Sequence, residues 1–149
     1  MRCVVQRVTE ASVTSEGELT GAIGLGYMAL VGAEEGDGEA DIRYIVEKLA
    51  GLRVFEDEQG KMNRSVQDVG GAILLVSQFT LLGDTRHGRR PSFSTAERPE
   101  KAAPMLEEMA RQLREKDIPV ETGRFQTHMQ VRLVNDGPVT ILLDSRKGF

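Results

Sequence analysis

Apolar and polar residues alternate over the first part of the chain in the period of two that marks half-buried strands. Cys3, Val5 and Arg7 share one side, Val4, Gln6 and Val8 the other, and a second run follows at Ser12-Val13-Thr14. Glu16-Gly17-Glu18 supplies turn chemistry before Leu19 to Ile23, and Tyr27 to Val31 is a continuous apolar run. Residues 1–33 are therefore expected to form two β-hairpins. An acidic, glycine-rich loop follows from Gly32 to Gly38, and then the period changes. Ile42, Ile45, Val46 and Leu49 fall at i, i+3, i+4 and i+7 with Arg43, Glu47 and Lys48 facing away, which predicts a helix. Asp37 or Asp41 lies near the positive end of its dipole, and Gly51 stands where a C-terminal cap belongs.

Leu52 to Phe55 reads as a strand, Asp57 to Gly60 as a turn, and Gly70-Gly71 introduces Ala72 to Val76, an apolar run that suits a central strand. From Gly83 to Thr95 no hydrophobic period survives, so this is a long loop of the kind that often carries function. Ala102, Leu106, Met109 and Leu113 predict a second helix, which Pro104 should either delay or bend. After Pro119 two more strands are expected. Met129, Val131 and Leu133 alternate with His128, Gln130 and Arg132 in the first, and Val139 to Leu143 forms the second. Asn135-Asp136-Gly137-Pro138 lies between them and has the chemistry of a turn. Strands, helix, strands, helix, strands describe an α+β fold, one domain over residues 1–149. Two main helices pack on an antiparallel or mixed, barrel-like β-sheet, and a doubly wound arrangement is disfavoured.

The chain has 149 residues, 40% of them hydrophobic, enough for a core that needs no metal or disulfide to support it. Cys3 is the single cysteine, which excludes an intrachain disulfide and a cysteine-based zinc site. No apolar run approaches the roughly 20 residues of a membrane-spanning helix. The opening Arg2, Cys3-Val4-Val5, Gln6-Arg7 is unlike a signal peptide, so a soluble cytoplasmic protein is expected. The formal charge is -4, from 19 Lys+Arg against 23 Asp+Glu. That excludes a protein that coats nucleic acid through bulk positive charge but leaves room for a local basic patch. Trp is absent and only two Tyr occur, which disfavours a broad base-stacking platform.

The chain carries no G-x-S-x-G, no H-E-x-x-H and no P-loop. Gly21, Gly24 and Gly26 have the wrong spacing for a dinucleotide site and read as hairpin glycines. His87 and His128 are the only histidines. Either could serve as a base, but His87 lies in an arginine-rich loop and His128 at an exposed strand position. Cys3 reads as a small apolar group. Three segments stand out. At Ser77-Gln78-Phe79-Thr80 an apolar strand abruptly turns polar, which suits a site as well as an ordinary strand end. Asn135 to Pro138 is the second. In the third, Arg86, Arg89 and Arg90 are either solvated charge or forked anchors for phosphate.

As a set these residues resemble the D-aminoacyl-tRNA deacylase family. The resemblance rests on Ser77-Gln78-Phe79-Thr80-Leu81, on Gly83-Asp84-Thr85-Arg86 with Arg90-Pro91-Ser92-Phe93, and on Asn135-Asp136-Gly137-Pro138-Val139-Thr140. Gln6-Arg7-Val8 with Ala11-Ser12-Val13 and Thr122-Gly123-Arg124-Phe125 before Met129 extend it from Met1 to about Leu143. The resemblance implies a hydrolase that frees tRNA and a D-amino acid by cleaving the ester at the terminal adenosine, and that also acts on glycine attached to tRNA(Ala). It implies a homodimer with its active site across the subunit interface, no cofactor or metal, no DNA or membrane partner, and a cytoplasmic location. Ser77, Gln78, Phe79 and Thr80 would line the catalytic pocket. Gly137 and Pro138, joined by a cis bond, would enter the partner's pocket, with Arg7 holding them and Met129 completing the substrate-binding set.

Ester hydrolysis needs an activated water and a stabilised oxyanion. The family's answer is the 2′-hydroxyl of the terminal ribose with backbone N–H groups, which the Gln78-Phe79-Thr80 strand end could supply. A Thr80 nucleophile would still need a base. A Gly-Pro carbonyl wall would reject L side chains by clash and tolerate many D side chains. Gly137→Ala is therefore expected to impair activity or fidelity while leaving the fold intact. Two rivals remain: a non-catalytic tRNA-binding module resting on Arg86, Arg89 and Arg90, and a hydrolase of another small ester using Thr80 with His128 or His87. A related deacylase lenient toward L-alanine is disfavoured because SQFTL and Arg7 are both present.

Overall fold

A computed structural model describes all residues, 1–149. Strand β1 (Arg2–Ser15) is followed by β2 (Glu18–Ile23) and β3 (Gly26–Gly32), then by helix α1 (Glu39–Gly51). A short hairpin, β4 (Phe55–Glu56) and β5 (Met62–Arg64), leads to β6 (Ala72–Ser77) and a single 3-10 turn (Phe79–Leu82). Helix α2 (Pro99–Glu115), β7 (Val120–Thr122) and β8 (Met129–Asp144) complete the chain. The sheet is mixed, in the order β2-β1-β3-β6-β7, with β8 paired to the other side of β1. β1 is antiparallel to β2, β3 and β8, whereas β6 is parallel to both β3 and β7.

Both faces of the central strands are covered, which is why they read as unbroken apolar runs. Tyr27, Ala29 and Val31 of β3 and Ile73 and Leu75 of β6 join Ile45, Leu49, Met109 and Leu113 of the helices in one core. Met28, Leu74 and Val76 face the other way, with Val8, Ala11 and Val13 of β1, in a second cluster made only of strand residues. The sheet curls around that cluster. A Cβ at Gly21 of β2 would stand 2.9 Å from the Thr122 carbonyl of β7, so the two outer strands approach without pairing and the barrel is nearly closed.

The expected fold class holds, and several boundaries differ from the pattern. The two early runs are one 14-residue strand: β2 pairs with its second half, β3 with its first, and only β1–β2 is a hairpin. α1 ends at Gly51, and Leu52 (φ -58°, ψ 131°) carries the chain on extended, so no left-handed glycine cap forms. Leu52 to Val54 is irregular and only Phe55–Glu56 is strand. α2 begins with Pro99 in its first turn and continues through Pro104. The lost N–H there deprives only the Glu100 carbonyl of a helical donor. The largest departure is at the end. Residues expected as two strands around a turn form the single strand β8, paired with β1 from Met129 to Asp144 and interrupted by a bulge.

Candidate active site

β6 ends at Ser77, where the sheet opens into a cavity of about 580 Å³. Its walls come from Ser77, Gln78 and Phe79, from Phe93 and Glu97 before α2, and from the β7–β8 connection through Phe125 and Met129. Phe79 is 55% exposed and meets Phe93 edge-on, with ring centroids 5.3 Å apart. Met129 lies so close over Gly123 that a Cβ there would be 2.5 Å from its sulfur. Ser77, Phe125 and Met129 also wall a smaller cavity of about 330 Å³ that runs along α2 to Arg114.

The backbone at this corner is fixed from behind, because Gln78 N–H donates to the Val31 carbonyl at 2.7 Å. The N–H groups that open a helical turn have no acceptor one turn back. Here Leu81 N–H is taken by the Gln78 carbonyl, which leaves Phe79 and Thr80 as the donors at the head of the turn. Thr80 is exposed, does not line the cavity, and its hydroxyl accepts from the Gln78 side-chain amide. No histidine is its partner. His128 stands exposed at the cavity rim and His87 lies outside it, in the loop beyond Asp84.

Gly137, Pro138 and Arg7 are not in this cavity. They form a second feature on the β1–β8 pair. Gln6 is opposite Thr140 and Val8 opposite Asn135, so Asp136 to Val139 bulge out across from Arg7 without strand partners. Arg7 is buried, and its guanidinium donates to the Asp136 carbonyl (3.1 Å) and to the Val54 carbonyl (2.6 Å), with the Asp136 carboxylate 3.3 Å away. The Gly137-Pro138 bond is cis, and both residues are exposed at the tip of the bulge. Gly137 has φ +126°, and a Cβ there would stand 2.6 Å from Arg7 Nη2.

The arginine loop makes a third feature. Asp84 and Ser92 exchange backbone hydrogen bonds at its neck, and Asp84 takes the Arg86 guanidinium in a fork at 2.9 and 2.7 Å. That hydrogen bonding holds the Asp84 carboxyl well below the usual carboxylate range. Arg89 and Arg90 are exposed with no ion pair.

Sequence reasoning missed Glu97, a buried carboxylate on the cavity wall that accepts from the Arg98 N–H at 2.9 Å and pairs with no cation. Its signal was faint: an acid two residues before Pro99, where a helix dipole favours negative charge. Phe93, which closes the Arg90-Pro91-Ser92-Phe93 motif, faces the cavity against Phe79, a placement no local pattern marks.

A single-domain α+β protein with a half-apolar cavity at the end of a central strand is the class these features define. A family model described as D-Tyr-tRNA(Tyr) deacylase matches residues 4–144, and the chain belongs to that family. It is 61% identical over 149 residues to a D-aminoacyl-tRNA deacylase of Symbiobacterium thermophilum, covering 100% of this chain and 99% of that one. Among solved structures it is similar to a c-Myc DNA Unwinding Element Binding Protein, at a TM-score of 0.90 and 43% identity over 97% of this chain and 98% of that one. A probable eukaryotic D-amino acid tRNA deacylase shares the fold at a TM-score of 0.77 and 17% identity, over 95% and 97% of the two chains.

Proposed function

We propose that this enzyme hydrolyses the ester between a D-amino acid and the terminal adenosine of tRNA, and glycyl-tRNA(Ala) by the same route. The cavity bounded by Ser77, Gln78, Phe79 and Met129 receives the aminoacyl-adenosine end. The observation that carries the mechanism is the helix-opening N–H of Phe79, a residue of the cavity wall, together with the lack of any side-chain nucleophile bonded to a base. Donors aimed at a developing oxyanion are worth several kcal/mol in a water-poor site. The substrate's own 2′-hydroxyl then supplies the activation that no residue here provides.

In this reading two copies of the chain assemble, and the bulge of one closes the cavity of the other. The support is positional: Gly137 and Pro138 are exposed, backed by Arg7, and outside the cavity of their own chain. Their carbonyls form a wall that an L side chain meets and a D side chain avoids. Arg89 and Arg90, free of carboxylates, meet the phosphates of the acceptor end. A net charge of -4 with one such loop suits that local contact better than binding along duplex DNA, and the site of action is the cytoplasm.

The test is to incubate the protein with D-tyrosyl-tRNA and L-tyrosyl-tRNA and follow release of the amino acid. Loss of the D ester with the L ester spared is expected, and a 2′-deoxy terminal adenosine should abolish it. Binding of tRNA with neither ester cleaved above the blank would replace this reading with a binding module.

A further inference from the structure

The four bulged residues Asp136 to Val139 have lost the ladder that fixes the rest of β8. Arg7 grips only the front of that excursion, at the Asp136 carbonyl. Its far side is held by a different group. The Asn135 side-chain amide donates to the Arg7 carbonyl at 3.0 Å and to the Val139 carbonyl at 3.1 Å. One NH₂ has two hydrogens, so both are used. The first bond ties the bulge to β1 and the second draws its two ends together across Asp136, Gly137 and Pro138. Residue 7 is thus held at both its backbone and its side chain, the first by Asn135 and the second by Val54 and Asp136.

We infer that Asn135 is a positioning residue for stereochemical selection: its amide clasps the bulge so that the Gly137-Pro138 tip keeps a fixed height and direction. This rests on the reading of Gly137-Pro138 as the wall that rejects L esters. A wall works by clash, and a clash is only as discriminating as the wall is stiff. With the clasp open, the ends of the bulge part, the tip yields, and an L side chain is admitted. Asn135 touches no substrate in this account and acts through the carbonyls it holds.

The experiment compares kcat/KM for D- and L-tyrosyl-tRNA in the wild type, Asn135→Asp and Asn135→Ala, with thermal unfolding of each. The aspartate is nearly isosteric but cannot donate to two carbonyl oxygens, and the alanine removes the group. Loss of two hydrogen bonds is expected to lower the D-to-L ratio roughly tenfold in both variants. A purely structural role would lower the melting temperature and leave the ratio where it was. Gly137→Ala is run alongside. An unchanged ratio in folded Asn135 variants, with a lowered ratio in Gly137→Ala, would overturn the clasp and leave the wall standing. An unchanged ratio in all three would overturn the wall, and the clasp with it.

Discussion

Gly137→Ala tests the link between the bulge and selection most directly. At φ +126° an L residue is strained by about 1–3 kcal/mol whatever space it has. Space is also lacking: the new methyl would lie 2.6 Å from Arg7 Nη2 and 3.0 Å from Val139 Cγ2. Arg7 cannot simply swing aside, because its guanidinium is bonded to the Val54 carbonyl at 2.6 Å and buried. Relief therefore comes from moving the tip or from breaking the bond to the Asp136 carbonyl, a further loss of about 1–3 kcal/mol for a charged donor. The total is about 2–6 kcal/mol, below all but the lowest end of the 5–15 kcal/mol that holds a typical domain. The variant is expected to stay folded with a lower melting temperature, and to lose at least tenfold in its D-to-L ratio of kcat/KM. Unfolding curves and paired D and L deacylation assays read the two effects separately. A wild-type ratio in a protein measurably destabilised by the substitution would refute the reasoning, since strain would then be present at the tip without any effect on selection.

A shared site makes a further demand on subunit mixing. Gly137→Ala and a cavity variant such as Phe79→Ala, each impaired alone, should recover activity when unfolded together and reassembled, toward about one quarter of the wild-type sites; no recovery in proven heterodimers would count against a site built from two copies. Replacing Arg89 and Arg90 by Ala should weaken tRNA binding and flatten its dependence on salt by roughly one to two in log-log slope. Asp84→Asn should act oppositely by freeing Arg86, and titrations over a salt series separate the two. Burial pushes the Cys3 thiol up from its ordinary pKa. The native thiol should therefore resist alkylation until the protein unfolds. Because the unfolded chain releases that proton near pH 8.5 and the folded one retains it, the thiol's contribution to stability should be constant below that pH and fall above it by about 1.4 kcal/mol per pH unit. Cys3→Ala should remove that portion of the alkaline slope.

The features legible in the sequence are those fixed locally by an apolar period. α1 announces itself through Ile42, Ile45, Val46 and Leu49, all buried in one stripe, and β6 through a run covered on both faces. What escaped depends on partners far along the chain. Thr9 and Glu10 are exposed in mid-strand and look like a break, yet β1 continues because β2 takes over pairing where β3 leaves off. β7 is only three residues long and is a strand because β6 offers it an edge. Asn-Asp-Gly-Pro has turn chemistry in any short window. It becomes a bulge because residues on either side, Val134 and Thr140, both find partners on β1.

The candidate site was legible in the same uneven way. Ser77, Gln78 and Phe79 are marked by the polarity change that ends β6, and they do reach the cavity, whereas Thr80 follows them in sequence but turns its hydroxyl to Gln78. Arg7 carried a physical signal that composition alone hides. It occupies the next position on the face that Cys3 and Val5 bury, and a buried guanidinium must be paired. The carbonyls it bonds, of Val54 and Asp136, lie 47 and 129 residues away and carry no signature of their own, although the Asp136 carboxylate beside the second is an acid the sequence does show. The division has a physical cause. A pocket grows at a strand end, where the chain itself changes character, but a rigid wall is made by main-chain carbonyls held from a distance. Selection by such a wall, the role proposed for Gly137-Pro138, would leave little trace in residue type beyond the glycine that fits and the polar groups, Arg7 and Asn135, that would keep it still.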